Sequence, residues 1–310
     1  MNPVRLSPNG NLVGVDFSKA DLAEANISGS RLECANFTAT SLRGANLKGI
    51  RTADTTFSGA DLRFASLREA DLKCAGFSGA RMAGCDLIRA NLEGADLREA
   101  NLACANLEGA NLNNANLNGV ILVEANLANA SIRGTILERA TACAAIFRRA
   151  SIDGARFRFA DLGACDFTGA SAGAAEFERA SLFTAILTEF MAENAVFEFA
   201  DLRGVSLTAA NLKNANFVGA TLQRARAESC NFEGADLYWA DIDAFVMSHC
   251  AEAGARFPAN TQIAYGGSVG MPMVSPRRLF REPMTDEQRR NLVKSSFEDS
   301  TSGQDLGSHD

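Results

Sequence analysis

Residues 95–119 read ADLRE ANLAC ANLEG ANLNN ANLNG, five consecutive blocks that share one pattern. Each block begins with alanine, continues with Asp or Asn, and has Leu in third place. An α-helix needs a hydrophobic period of about 3.6 residues and a strand a period of about two, so a period of five fits neither. The pattern therefore predicts a coil that turns a corner every five residues, with one small and one large apolar side chain inside.

The five-residue period extends from this stretch to about Asn11 in one direction and Phe257 in the other. Leu, Phe, Ile or Met fills most positions whose number ends in 2 or 7, which we call central positions. Ala fills most positions that end in 0 or 5. Gly is frequent at positions that end in 4 or 9, such as Gly44 and Gly109, where a tight corner often needs a positive φ.

Phenylalanine recurs at every fourth central position, which indicates how many corners make one coil. Identical side chains are expected to stack along one face, so a recurrence at every fourth pentad predicts four sides. The predicted fold is an all-β solenoid, a quadrilateral parallel β-helix of about 12 coils. Its predicted core includes Leu107 on another face and, on the phenylalanine face, Phe17, Phe37, Phe57, Phe77, Leu97, Phe157, Phe177, Phe197 and Phe217.

Composition and charge limit the function classes. The net charge is −7, which argues against direct nucleic-acid binding through a basic surface. The opening segment lacks the apolar stretch of a signal peptide, and no segment has the length of a membrane span. We therefore expect a cytoplasmic protein without membrane contact, although export without a cleavable signal stays open. The eight cysteines match no metal-ligand spacing, and we expect most to be small buried thiols.

The repeat divides the chain into three parts. Residues 1–10 are expected to form a short N-terminal cap segment, residues 11–257 the β-helix, and residues 258–310 a non-repeat tail. Within the tail, Thr285 and Gln288 form a capping-box pattern that predicts one short helix over about 286–296. The rest is expected to be loop and a disordered end. The tail either covers the last coil as a cap or binds a partner.

The run of A(D/N)LxG blocks is similar to the pentapeptide-repeat family, and this resemblance covers about four fifths of the chain. It implies a right-handed quadrilateral β-helix. Some members of that family imitate the shape and charge of a DNA duplex, bind DNA gyrase and protect it from quinolones, whereas others are exported bacterial effectors. The motif is structural and brings no catalytic residue with it. The resemblance thus leaves a topoisomerase partner and effector export open as alternative functions.

The charge pattern argues against duplex mimicry, because a mimic needs a continuous acidic face. Outward carboxylates are interspersed with arginines and lysines along the whole repeat. A group of arginines also predicts a basic belt in the middle of the rod; its members are Arg133, Arg139, Arg148, Arg149, Arg156 and Arg158.

A candidate protein-binding site lies two residues after each central position of the phenylalanine face. This corner column, which we call the aromatic column, reads Phe159, Arg179, Phe199, Gly219 and Trp239 at every fourth pentad. Outward neighbours add Val196, Val218 and Tyr238. Aromatic residues interleaved with Arg are typical of interface hot spots. The column is expected to contact a protein partner or a second copy, unless its side chains lie flat on the rod or the chain's own tail covers them.

Catalysis and cofactor binding find no support in the sequence. His249 is the only histidine before the last residues, and no Ser or Cys nucleophile stands in a convincing relation to it. The glycine-rich and aspartate-rich repeat that binds calcium in other solenoids is missing. The sequence therefore predicts a non-catalytic rigid scaffold, without cofactor or metal, that binds proteins through a flat face.

Overall fold

A computed structural model describes residues 6–259 and 264–265 of the 310-residue chain. Each pentad forms a parallel β-bridge with the fourth pentad after it, from Asn11 paired with Arg31 to Asp236 paired with Arg256. The bridges fall into four ladders, one for each pentad of a coil. One coil therefore takes four pentads and turns four corners, as the phenylalanine recurrence predicts.

The pentad 106–110 shows how the repeated sequence produces one side of the coil. The N–H of Asn106 donates a hydrogen bond of 2.8 Å to the carbonyl of Cys85 in the preceding coil. The N–H of Leu107 donates one of 2.7 Å to the carbonyl of Asn126 in the next coil. The N–H of Ala110 closes a turn onto the Leu107 carbonyl at 3.0 Å. The Asn106 side chain accepts the N–H two residues later, an arrangement that short Asn and Asp side chains favour.

The corner of each turn has a positive φ almost regardless of which residue occupies it. Glycines such as Gly109 have φ near +65°, but so do many residues with a Cβ, including Glu99 at +58° and Arg139 at +57°. A positive φ at the third residue, after a residue with negative φ, is the type II turn. Glycine thus relieves strain at some corners, whereas at the others the ladders on both sides hold the backbone in place.

The core is a continuous file of buried side chains along the coil axis. Phe37, Phe57 and Phe77 stack with ring centroids 4.9 Å apart, and Phe157 stacks on Phe177 at 5.0 Å. Phe17, at the N-terminal end, is 8% exposed. The other predicted core side chains are all fully buried: Phe37, Phe57, Phe77, Leu97, Leu107, Phe157, Phe177, Phe197 and Phe217.

Three strands stand out near the C-terminal end of the described coil. They are β1 at Arg226–Glu228, β2 at Val246–Ser248 and β3 at Ala264–Tyr265, and they pair in parallel in that order. β2 follows β1 at the usual offset of four pentads, but Val246 pairs with Ala264, which comes two positions earlier than that offset requires. The parallel pairing therefore continues past residue 257, where the repeat pattern ends, after one coil step that is shorter than the others.

The first described residues already contact the β-helix. Leu6 packs against the core, and the N–H of Asn9 donates to the Ser28 carbonyl at 2.7 Å. The short helix expected over about 286–296 and the rest of the tail after Tyr265 lie outside the described residues. Within residues 6–259 and 264–265, no helix has the length and apolar character that crossing a bilayer requires.

Candidate protein-binding face

The aromatic column occupies consecutive corners of the phenylalanine face, and every member sits on a left-handed backbone. Phe159, Arg179, Phe199 and Trp239 have φ between 56° and 61°, and Gly219 has φ of 68°. Aromatic residues rarely adopt this conformation, because the Cβ crowds the backbone. The bridges on either side of each corner fix it, so the side chains of successive corners project in the same direction.

Arg179 lies between two aromatic rings. Its guanidinium carbon is 5.6 Å from the centroid of the Phe159 ring and 5.8 Å from that of the Phe199 ring. Both distances are within the range of cation–π attraction. The three side chains form one ordered group over two coil steps, with the cation held between two π faces.

Phe199 extends over the next corner, where Gly219 leaves room for it. A Cβ added at Gly219 would lie 2.6 Å from two carbons of the Phe199 ring, which is far inside van der Waals contact. Gly219 therefore serves the column in two ways. It adopts the positive φ without strain, and its missing side chain lets the Phe199 ring lie flat along the rod.

The C-terminal end of the column is a second aromatic cluster. The rings of Tyr238 and Trp239 are 4.5 Å apart, and the guanidinium of Arg256 lies 5.0 Å from the Tyr238 ring centroid. Arg256 also pairs with Asp236 at 2.7 Å. The indole Nε1 of Trp239 is buried and has no hydrogen-bond partner among the described residues.

Exposure differs along the column. Phe159 is 45% exposed, whereas Arg179, Phe199, Tyr238 and Trp239 are half-buried. The two predicted flanking valines, Val196 and Val218, are also half-buried. The structure thus brings all the predicted residues onto one face, where rings and guanidinium groups cover one another in part and leave their edges accessible.

Two exposed aromatic residues outside the column were not predicted. Phe64 is 64% exposed and covers Gly84 in the same way as Phe199 covers Gly219. Phe183 is 48% exposed, and the guanidinium of Arg203 lies 5.4 Å from its ring. The sequence did contain a signal, because an aromatic turn residue followed four pentads later by Gly or Arg marks both sites.

Ion pairs join four of the six arginines of the expected basic belt to carboxylates. Arg156 pairs with Glu138 of the previous coil and with Glu176 of the next, the latter at 3.6 Å. Arg158 pairs with Glu178 at 2.7 Å. Arg133 and Arg148 pair with aspartates in the same manner. The middle of the rod therefore presents paired charges at these four positions, whereas Arg139 and Arg149 are exposed corner residues.

The expectation that most cysteines are buried is wrong for the majority of them. Only Cys85, Cys165 and Cys230 are buried. The other five are exposed or half-buried, because several of them occupy outward corners where Gly is also common; they are Cys34, Cys74, Cys104, Cys143 and Cys250. Among the described residues, no three His, Cys, Asp or Glu side chains approach one another as a metal site requires. His249 is exposed on a corner.

The model of the family described as pentapeptide repeats matches the chain in 8 copies, over residues 11–49, 53–87, 80–119, 121–158, 193–226 and 210–248. This is well over half of the chain. The chain belongs to the pentapeptide-repeat family. The four ladders of bridges form the repeat scaffold of this pentapeptide-repeat protein. Comparison with curated proteins finds no significant match.

Solved structures that resemble this pentapeptide-repeat protein belong to the same family. HetL, a pentapeptide repeat protein involved in heterocyst differentiation regulation from the cyanobacterium Nostoc sp. strain PCC 7120, is 26% identical over 81% of this chain and 92% of its own, with a TM-score of 0.30. Rfr23 from the cyanobacterium Cyanothece 51142 is 23% identical over 36% of this chain and 63% of its own, with a TM-score of 0.24. Full-length QnrB1, a plasmid-mediated fluoroquinolone resistance protein, is 16% identical over 78% of this chain and 92% of its own, with a TM-score of 0.21.

Proposed function

We propose that this pentapeptide-repeat protein is a non-catalytic rigid scaffold that binds a protein partner through the C-terminal half of its phenylalanine face. The observation that carries the proposal is the guanidinium of Arg179 held between the rings of Phe159 and Phe199. Trp, Tyr and Arg are the residues that contribute most to protein interfaces. The aromatic column gathers such residues on one flat face.

Preorganisation favours this face over the other exposed side chains. Each corner of the column lies between two backbone bridges, and the half-buried rings already contact neighbours in the free chain. Little side-chain freedom would therefore be lost on binding, and this loss is a main cost of association. A partner would need an apolar centre, since the charged side chains around Arg158 and Arg256 already have partners.

We also propose that the rod is right-handed and has about 12 coils. The crossover connection between two parallel strands of one sheet is right-handed in about 98% of cases. With four pentads in each coil, the bridges from Asn11 to Arg256 support a number near 12. The partner is either a different protein or a second copy of this chain.

Duplex mimicry of the kind that targets a topoisomerase is the weaker candidate. Carboxylates that would have to imitate phosphates are bound to arginines instead, as at Asp61, which accepts hydrogen bonds from Arg63 and Arg81 at 2.6 Å each. A face of such pairs lacks the closely spaced negative charge of DNA. Inhibition of gyrase supercoiling by the purified protein at micromolar concentration would revive this candidate.

The double substitution Phe199→Asp with Trp239→Asp tests the binding face. Asp tolerates a positive φ better than aromatic residues do, so the corners should keep their shape. Phe64→Asp is the matched control, because Phe64 also has a positive φ, at 61°, and also covers a glycine, but on another face. The measurements are affinity purification of the full chain from its native cell and the oligomeric state of the purified protein by light scattering.

We expect the double variant to lose a partner, or a dimer, that the wild type and the Phe64→Asp variant both retain. Circular dichroism and thermal unfolding would verify that all three proteins are folded. The proposal is wrong if the double variant keeps every partner and the oligomeric state of the wild type.

A further inference from the structure

Cys230 and Cys250 occupy equivalent positions on two consecutive coils near the C-terminal end of the described repeat. Each lies two residues after the end of a strand, Cys230 after β1 and Cys250 after β2. The strands pair in parallel at a strict offset of four pentads, with Glu228 opposite Ser248. Adjacent strands lie about 4.8 Å apart, which is within the Cα separation of about 4.4–6.8 Å that a disulfide spans.

The two thiols also have the same local contacts. The Sγ of Cys230 lies 3.5 Å from the carbonyl oxygen of Glu228, and the Sγ of Cys250 lies 3.4 Å from that of Ser248. Each Sγ also contacts a carbonyl of the preceding coil, at Leu207 and Ala227 respectively. Because the contacts repeat from one coil to the next, the two sulfur atoms stack along the axis of the solenoid.

The thiols differ in access and in acidity, which gives them different roles. Cys230 is 2% exposed, whereas Cys250 is half-buried. Hydrogen bonding from the Cys230 side chain lowers the pKa of Cys250, assisted by the backbone N–H of Cys230. The same contact together with burial raises the pKa of Cys230. Cys250 is therefore the thiol that a peroxide reaches first, because it is the more exposed and the more acidic of the two, and Cys230 is the buried thiol beside it.

We propose that Cys230 and Cys250 form a peroxide-sensitive dithiol that closes to an intramolecular disulfide. The Cys250 thiolate attacks one oxygen of hydrogen peroxide, the O–O bond breaks, and the products are a sulfenic acid on Cys250 and hydroxide, which takes a proton to become water. The Cys230 sulfur then attacks the Cys250 sulfur, the S–O bond breaks, and the thiol proton leaves with the oxygen as a second water. The two thiols lose two electrons in total, and the peroxide gains them.

The disulfide would tie together both ends of one coil, the stretch 231–249. This coil includes Tyr238 and Trp239. The disulfide would therefore link the coil at the C-terminal end of the candidate binding face covalently to the next coil. A crosslink across a loop of this length restricts the opened states of the coil more than its closed state. Opening of the last coils is therefore expected to become rarer after oxidation. This inference does not depend on the proposed function, because it concerns the thiols alone.

The test is cysteine mapping on the full-length wild-type protein. The protein is treated with hydrogen peroxide, quenched with catalase, and alkylated with iodoacetamide after denaturation. Trypsin releases residues 227–256 as one peptide with both cysteines, and cleavage before Asp236, Asp241 and Asp243 then separates them unless a disulfide joins them. Cys85 and Cys165 are internal controls, because each is buried at the same repeat position with Ala at the equivalent position of the coils before and after it.

We expect peptide 227–256 to lose the mass of two hydrogen atoms and both alkylation sites together, with its two halves still linked after the second cleavage. The peptides that carry Cys85 and Cys165 should alkylate fully. In the C230S variant, Cys250 should instead be trapped by dimedone as a sulfenic acid. Hydrogen exchange of the stretch 231–249 should slow by at least about tenfold on oxidation of the wild type.

Two results would overturn the proposal. One is complete alkylation of Cys230 and Cys250 under peroxide that oxidises the exposed Cys104. The other is a disulfide that links either residue to a different cysteine or to a second chain. Unchanged exchange over 231–249 despite a mapped disulfide would refute the coupling to the binding face while leaving the redox pair in place.

Discussion

Replacing Phe177 with alanine removes one ring from the middle of the stacked file on the phenylalanine face. The Phe177 ring is fully buried and stacks on Phe157 at 5.0 Å and on Phe197 at 4.9 Å, both within 2° of parallel. Its edge also meets Phe167 at 6.3 Å. The substitution therefore removes contacts in three coils at once.

The expected cost can be added up from these contacts. Lost burial of the ring contributes about 2 kcal/mol, and each of the two stacked pairs about 1 kcal/mol. The sum of about 4 kcal/mol is in the range of about 3–5 kcal/mol for Phe→Ala at buried sites. Phe177→Leu keeps most of the apolar volume and loses only the stacking, so we expect about 1–2 kcal/mol for it.

Phe17→Ala is the matched control at the N-terminal end of the same file. Phe17 is 8% exposed and stacks on one ring only, that of Phe37. We expect the free energy of unfolding of the Phe17→Ala variant to fall by about 2 kcal/mol, because only one stacked pair is lost and the cavity opens to water. The comparison of Phe17 with Phe177 thus measures what stacking on both sides adds.

Hydrogen exchange followed by mass spectrometry is the suitable assay, because stability in a repeat protein is local and each coil depends on its neighbours. The Phe177→Ala variant should exchange faster over residues 157–197, with a smaller effect at the N-terminal coils. Phe17→Ala should show the reverse distribution. Equal losses for the two variants, or a uniform loss along the rod, would refute the idea that ring stacking carries this part of the stability.

Two further predictions concern individual corners and carboxylates. Gly219→Ala should destabilise the fold by about 1–2 kcal/mol and displace the Phe199 ring. Gly79→Ala is the control, because Gly79 has a similar φ but open space around the new Cβ, and it should destabilise the fold by about 1 kcal/mol. Thermal unfolding of both variants measures the difference. The hydrogen bond from Arg63, assisted by the charge of Arg81, lowers the pKa of Asp61 from 3.8 to about 2. The ionised carboxylate should therefore add about 1–2 kcal/mol to the free energy of unfolding above pH 4. This contribution should be lost as the pH falls from 4 to about 2. Asp61→Asn should remove that part of the acid dependence; a denaturation midpoint with the same pH profile as wild type would contradict it.

The candidate site was only partly readable from the sequence. Equivalent positions on successive coils place Phe159, Arg179 and Phe199 in one column, because residues at the same point of successive coils must be neighbours. The insertion of the Arg179 guanidinium between the two rings depends on side-chain rotamers, about which the repeat carries no information. The exposure of Phe64, which is 64%, was not predicted, although the sequence places the small Gly84 four pentads after it.

The sequence alone specified the architecture, because a five-residue period with a recurrence at every fourth pentad leaves only one way to stack Phe37 on Phe57 and Phe77. It could not determine the corner conformations, since residues such as Glu99 and Trp239 adopt a positive φ that their own preferences disfavour and the neighbouring ladders impose. The shortened step that brings β3 onto β2 and the pairing of four belt arginines with carboxylates became visible in the folded structure alone. These features arise from contacts between coils, and contacts between coils depend on side-chain positions that a one-dimensional pattern does not specify.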